Sequence, residues 1–145
     1  MEAHIEQGPQ LERYNKTIGV VSSIVGMRQL SVRCLGEQNH AGSTRMDDRK
    51  DATLAAMRIA VAIDDSLRAF CDAERDGGCL AVWTFSQLSG FVSHSTIPGA
   101  ANLTVQFRAP DEVTLESMER LIRSRASVAA PAPVVCEVHP SREYV

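Results

Sequence analysis

Two short stretches carry side chains able to do chemistry. The first, Glu2-Ala3-His4-Ile5-Glu6-Gln7-Gly8-Pro9, delivers a histidine, two glutamates and a glutamine into a Gly-Pro turn. His4 and Glu6 alternate, so an extended backbone places both on one side. A catalytic zinc centre takes about three protein ligands and keeps one position open. His4 and Glu6 therefore supply at most half of such a centre, and a lone histidine is more often structural than a ligand. The second stretch is Asn39-His40-Ala41-Gly42-Ser43-Thr44-Arg45-Met46, in a polar segment where functional side chains collect. On these residues alone the favoured reading is a surface loop that happens to contain a histidine. His94 and His139 stand apart, and no His-Glu-x-x-His occurs. Gly-x-Ser-x-Gly, P-loop and Gly-x-Gly-x-x-Gly patterns are also missing, which removes support for serine-hydrolase, nucleotide and dinucleotide readings. Arg108, at the polar end of an alternating segment, suits a bidentate carboxylate contact or a solvated edge.

The elements that must position these groups can be read from periodicity. Residues 27–36 alternate, with Leu30, Val32 and Cys34 on one face and Ser31 and Arg33 on the other, as in a half-buried strand. Residues 37–51 have no period and read as a loop. From Asp51 to Ala73 the spacing becomes helical: Ala52, Ala56, Ile59, Ala60, Ile63, Leu67 and Phe70 form one stripe. Asp47, Asp48 and Asp51 suit its start, and Asp76-Gly77-Gly78 its stop. Residues 79–88 form a second strand, 89–100 a Gly/Pro/Ser connection, and 102–108 a third strand with Leu103, Val105 and Phe107 inward. Asp111 caps a second helix bearing Leu115, Met118, Leu121 and Ile122, ended by Pro131 and Pro133. Residues 134–139 form a last strand. The order β-α-β-β-α-β predicts an α+β, ferredoxin-like domain, a four-stranded antiparallel sheet with two helices on one face.

The chain has 145 residues, 44% of them apolar, and a net charge of −3, the size of one domain with one core. No basic run invites nucleic acid or an anionic membrane. The apolar stretches fall far short of the roughly 20 residues that span a bilayer, and no signal-like leader opens the sequence, so a cytoplasmic protein is expected. Cys34, Cys71, Cys79 and Cys136 lack Cys-x-x-Cys spacing and read as reduced, structural thiols.

Four segments, "HIEQGP", "IGVV", "NHAGSTRMDDRKDA" and "STIPGAANLTVQFRAPD", resemble in order and spacing the N-carbamoyl-L-amino-acid hydrolase and allantoate amidohydrolase family, of the dinuclear-metal aminoacylase/carboxypeptidase superfamily. The resemblance covers residues 2 to 111, with weaker similarity to the end. It implies a catalytic domain interrupted by an inserted lid and dimerisation domain. Residues 1–10 would be a remnant of a catalytic-domain strand and turn, 11–139 the lid, and 140–145 the start of the return.

The same resemblance implies the roles of single residues. His4 matches a metal ligand and Gln7 a glutamine near the substrate. His40 matches a lid histidine that reaches the partner subunit's active site and polarises the scissile carbonyl. Arg108 matches the arginine that holds the carboxylate of a ureido substrate. Ser95 stands where the family usually has asparagine, and its hydroxyl lacks the amide's paired donor and acceptor. The cofactor implied is a pair of divalent ions, zinc or manganese, whose other ligands would lie outside these residues. The parent reaction would be hydrolysis of a linear amide C–N bond, carried out by a homodimer joined through its lids, and the chain alone is expected to be inactive. A non-catalytic oligomerisation or ligand-binding module derived from that family is the competing expectation.

Overall fold

The computed structural model describes residues 2–73, 79–91, 93–131 and 133–141; the expected Asp76-Gly77-Gly78 stop lies outside them. In chain order the elements are α1 (Gln10–Arg13), β1 (Gly26–Leu35), β2 (Asn39–His40), a 3-10 turn (Met46–Asp48), α2 (Ala52–Ala73), β3 (Val82–Ser89), β4 (Thr96–Ile97), β5 (Ala100–Ala109), α3 (Glu112–Val128) and β6 (Val135–Pro140). The main sheet is antiparallel with strand order β3-β5-β1-β6. That is the ferredoxin-like arrangement the element order implies. β2 and β4, absent from the sequence reading, form a separate two-residue ladder.

Alternation decides which face is buried. Leu30, Val32 and Cys34 of β1 and Leu103, Val105 and Phe107 of β5 point to the helices and are buried. The opposite face stays polar: Gln106 donates to Gln29 (3.3 Å), Gln29 to Ser141 (2.8 Å) and Ser31 to Asn102 (2.8 Å). α2 contributes Ile59, Ile63 and Leu67 to the core, and α3 contributes Leu115, Met118 and Ile122. Ala55, outside the stripe read from the sequence, is fully buried as well.

Both expected helix starts are capped by carboxylates. Asp51 accepts from the Leu54 amide (2.9 Å) and Asp111 from the Thr114 amide (2.8 Å). The backbone and hydroxyl hydrogen bonds of Thr114 hold the Asp111 carboxyl below its usual range. Glu119 ties α3 to β1 by accepting from Arg28 (2.7 Å) and from Arg123 (2.9 Å), and Glu112 is a further ion-pair partner of Arg28.

The cysteines split into two pairs. Cys34 and Cys136 are free thiols opposite each other on β1 and β6, and burial pushes both thiols up. Cys71 and Cys79 are joined as a disulfide, which corrects the expectation of four reduced thiols. The end of α2 and the approach to β3 bring their Cα atoms to 5.1 Å, within bridging reach.

Candidate functional site

Of the five residues singled out by sequence, His40, Ser95 and Arg108 fall at the two ends of the β1–β5 ladder, and His4 and Gln7 lie in the lead that precedes β1. At one end, where Leu35 pairs with Ala100, the chain leaves β1 toward β2 and enters β5 from β4. His40 lies opposite Thr96 in the β2–β4 ladder, and the Ala41 amide donates to the Ser95 carbonyl (2.9 Å). Ser95 stands 55 positions from His40 in number, and its backbone is thus joined to the residue that follows His40. His40 and Ser95 are both exposed.

The loop carrying His40 is held from several directions. The Asn39 side chain accepts from the His40 amide (2.9 Å), and the Thr44 hydroxyl donates to the His40 carbonyl (2.7 Å). Arg49 donates to the Ala41 carbonyl (2.7 Å) and to the Thr44 carbonyl (3.2 Å), closing the loop from beneath. At the loop's base Gly36 lies so near the Lys50 carbonyl that a Cβ would overlap it. Arg49 and Asn39 were missed by sequence reasoning, because a charged or amide residue in an aperiodic loop gives no periodic signal. Both lie inside the quoted segment NHAGSTRMDDRKDA, which pointed to the loop but not to their part in holding it.

The imidazole of His40 has a defined proton position. Its Nδ1 receives the backbone amides of Gly42 (3.1 Å) and Ser43 (3.2 Å) and lies 3.1 Å from the Ser43 hydroxyl. Amide N–H groups only donate, so Nδ1 is an acceptor and the neutral ring carries its proton on Nε2. The glycine two residues on permits this fold-back, since a Cβ at Gly42 would stand 3.1 Å from the ring Cε1.

Arg108 lies at the other end of β5, opposite Met27 of β1 and Val82 of β3. Eight residues of strand separate it from Ala100, about 27 Å at the usual rise. Its guanidinium is exposed and donates to Gln106 (3.2 Å). The N-terminal lead enters at this same end, where Gly26 pairs with Ala109. His4 and Gln7 sit in that lead, both exposed, Gln7 with a positive φ of 56° as the chain turns into α1. His4 Nδ1 lies 2.6 Å from the Ile5 carbonyl oxygen. A carbonyl only accepts, so here Nδ1 carries the proton and Nε2 presents a lone pair, the arrangement metal-bound histidines use. Glu6, by contrast, is occupied as a cap, accepting from the Gln10 and Leu11 amides (2.7 and 3.0 Å).

The donor set thus fits one ligand of a metal centre. Among the described residues no three His, Cys, Asp or Glu side chains converge.

These segments have counterparts in known proteins. The chain is 38% identical over 141 residues to an N-carbamoyl-L-amino-acid amidohydrolase of Rhizobium meliloti, matching 94% of this chain and 30% of that protein. It is 34% identical over 125 residues to the allantoate amidohydrolase of Escherichia coli, matching 86% of this chain and 29% of that one. The crystal structure of a hydantoinase/carbamoylase family amidase from Burkholderia phymatum superposes with a TM-score of 0.83 at 35% identity, over 96% of this chain and 33% of that one. The chain is homologous to the N-carbamoyl-L-amino-acid and allantoate amidohydrolases. It spans about a third of the length of these relatives. No protein-family model matches it. Among the described residues, no helix is long and apolar enough to cross a membrane.

Proposed function

We propose that this chain is the lid and dimerisation part of a metal-dependent amidohydrolase that cleaves a linear amide C–N bond in an N-carbamoyl amino acid or allantoate. One observation carries this reading: the Arg108 end of β5 and the end where Ala100 meets the β2–β4 ladder that bears His40 are about 27 Å apart along the strand, a separation that one small ureido substrate does not bridge. Two copies remove the difficulty. Arg108 and the lead with His4 and Gln7 then serve one substrate, while His40 and Ser95 reach the site of the neighbouring copy.

Each group has a chemistry suited to its role. The Arg108 fork matches a substrate carboxylate. His40, with Nδ1 held by backbone amides, offers Nε2–H to the carbonyl oxygen on which negative charge develops. Ser95 brings a hydroxyl from the connection bonded to the His40 loop, and Gln7 brings an amide from the lead. Two divalent ions, zinc or manganese, are the cofactor this reading calls for, and their chemistry when bound is activation of water at neutral pH. His4 Nε2 is the ligand this chain would contribute. On this reading residues 2–25, whose Ile18, Val20, Val21 and Ile24 are more than three-quarters exposed, pack on the remainder of the enzyme, and the lid proper begins at Gly26. With one ligand, the isolated chain should not turn over substrate.

Segment exchange tests the role. Replacing the corresponding third of the R. meliloti amidohydrolase with this chain should give a hybrid that hydrolyses N-carbamoyl-L-amino acids. His40→Ala in that hybrid should lower kcat by about 100-fold or more with little change in KM. A folded, active hybrid indifferent to His40→Ala would contradict the proposal. The isolated chain should also sediment as a homodimer at micromolar concentration.

A further inference from the structure

α2 has two faces. One packs on the sheet and α3; the other carries Leu54, Met57, Arg58, Val61, Ala62 and Asp65. Leu54, Met57 and Val61 are 40%, 39% and 61% exposed, and all but Leu54 of the six line a shallow groove. Its charges are placed symmetrically. Arg58 lies three residues before Val61, and Asp65 three residues after Ala62. No ion pair within 4 Å is formed by either among the described residues, and Asp65 lies in the field of Arg68, whose own hydrogen-bonded partner is Asp64. About 10 Å apart along the axis, Arg58 and Asp65 do not pair with each other.

A second helix of the same sequence completes this pattern in one orientation. Laid antiparallel, with a two-fold axis passing between Val61 and Ala62, it sets Arg58 level with Asp65 of the second copy. By the symmetry of an isologous contact, Asp65 then meets Arg58 of that copy, so two ion pairs close together. Val61 meets Val61 of the copy beside the axis, and the small Ala62 lets the backbones approach. A parallel pairing would instead set Arg58 against Arg58 and Asp65 against Asp65. We infer that α2 pairs with α2 of a second copy of this chain, antiparallel about an axis between Val61 and Ala62, in a register fixed by reciprocal Arg58–Asp65 ion pairs. This register rests on the homodimer of the proposed function and adds which helix forms it and what selects the partner.

Charge reversal tests it on the chain as it stands. Arg58→Glu sets two acidic side chains against each other at both pairs, and Asp65→Arg sets two basic ones. Both positions are exposed on the helix, so far-UV circular dichroism and the thermal midpoint should stay close to wild type. In sedimentation equilibrium at low salt, each single variant should dissociate with a constant raised at least tenfold. An equimolar mixture of the two variants should recover dimerisation as a heterodimer, seen by native mass spectrometry. In that heterodimer the acid introduced by Arg58→Glu faces the base introduced by Asp65→Arg, and the unchanged Asp65 and Arg58 form the other pair. The variant carrying both changes should dimerise like wild type. A wild-type chain that stays monomeric would sink the homodimer and this register with it. A wild-type dimer indifferent to the single reversals, or a mixture that stays monomeric, would overturn the register alone.

Discussion

The two ends of the β1–β5 ladder are built in different ways. At the His40 end the chain supplies its own scaffold: the β2–β4 ladder, the Arg49 clasp on two carbonyls, and two amides fixed on the imidazole. At the Arg108 end it supplies loose parts, an exposed guanidinium with one hydrogen bond and a lead whose apolar side chains lie in the open. His40 and His4 show the contrast in one side chain each. Several donors fix the first ring as an Nε2–H donor, and the second has a single bond to its neighbour's carbonyl. A group preset within one chain can act on a substrate held elsewhere. A group left exposed waits for surroundings that other residues must provide.

Substitutions at matched positions sharpen the contrast, and the largest effect belongs to the glycines. Gly36→Val should lower the stability of the folded body by roughly 3 kcal/mol or more, because the new side chain overlaps the Lys50 carbonyl and backbone must move. Gly8→Ala in the lead meets only the Glu6 side chain at contact distance and should leave the denaturation midpoint unchanged. Equal losses at both glycines would erase the distinction between the ends.

Amide exchange reads the same difference without mutation. Residues 2 to 10 should exchange fast and the strand around Val32 slowly. Strong protection at Ile5 would show that the lead packs on the folded body after all. Arg49→Met should raise exchange at Thr44 about tenfold, through loss of the clasp, while Val32 keeps its protection.

Acid should have the mildest effect. Burial alone would raise Glu119, but the hydrogen bonds and charges of Arg123 and Arg28 outweigh it and hold its carboxyl below the usual 4.5. A carboxyl lowered on folding contributes stability that is present above its unfolded value and is lost as pH falls through the folded one. The wild-type midpoint should therefore decline below about pH 4.5, and Glu119→Gln should flatten that decline. An unchanged slope in the variant would remove Glu119 as its source.

Much of the fold was legible because burial repeats. Leu30-Val32-Cys34 and Leu103-Val105-Phe107 alternate with polar residues, and Ile59, Ile63 and Leu67 recur at helical spacing, so the strands, helices and their order could be read directly. The β2–β4 ladder was not, since two residues per strand are too few to show a period. α1 depends on the Glu6 cap rather than on an apolar stripe. The Cys71–Cys79 bond depends on the end of α2 and the approach to β3 coming close, a tertiary fact. Ala55 lies outside the stripe read from the sequence, and is buried where α3 packs beside α2 and widens the buried face. At the site, resemblance pointed to His40 and Arg108, but their separation and the clasp of Arg49 are tertiary facts. The segments that carry His40 and Ser95 meet only because β2 pairs with β4.

The proton on His40 tests the account most directly. Long-range proton–nitrogen correlation spectra of the chain labelled with 15N, recorded where the ring is neutral, distinguish the two imidazole nitrogens. The account predicts an unprotonated Nδ1 and a protonated Nε2, with amide signals of Gly42 and Ser43 displaced by their bonds to the ring. A neutral His40 protonated at Nδ1 would contradict it, since no Nε2–H would then remain to meet a developing oxyanion.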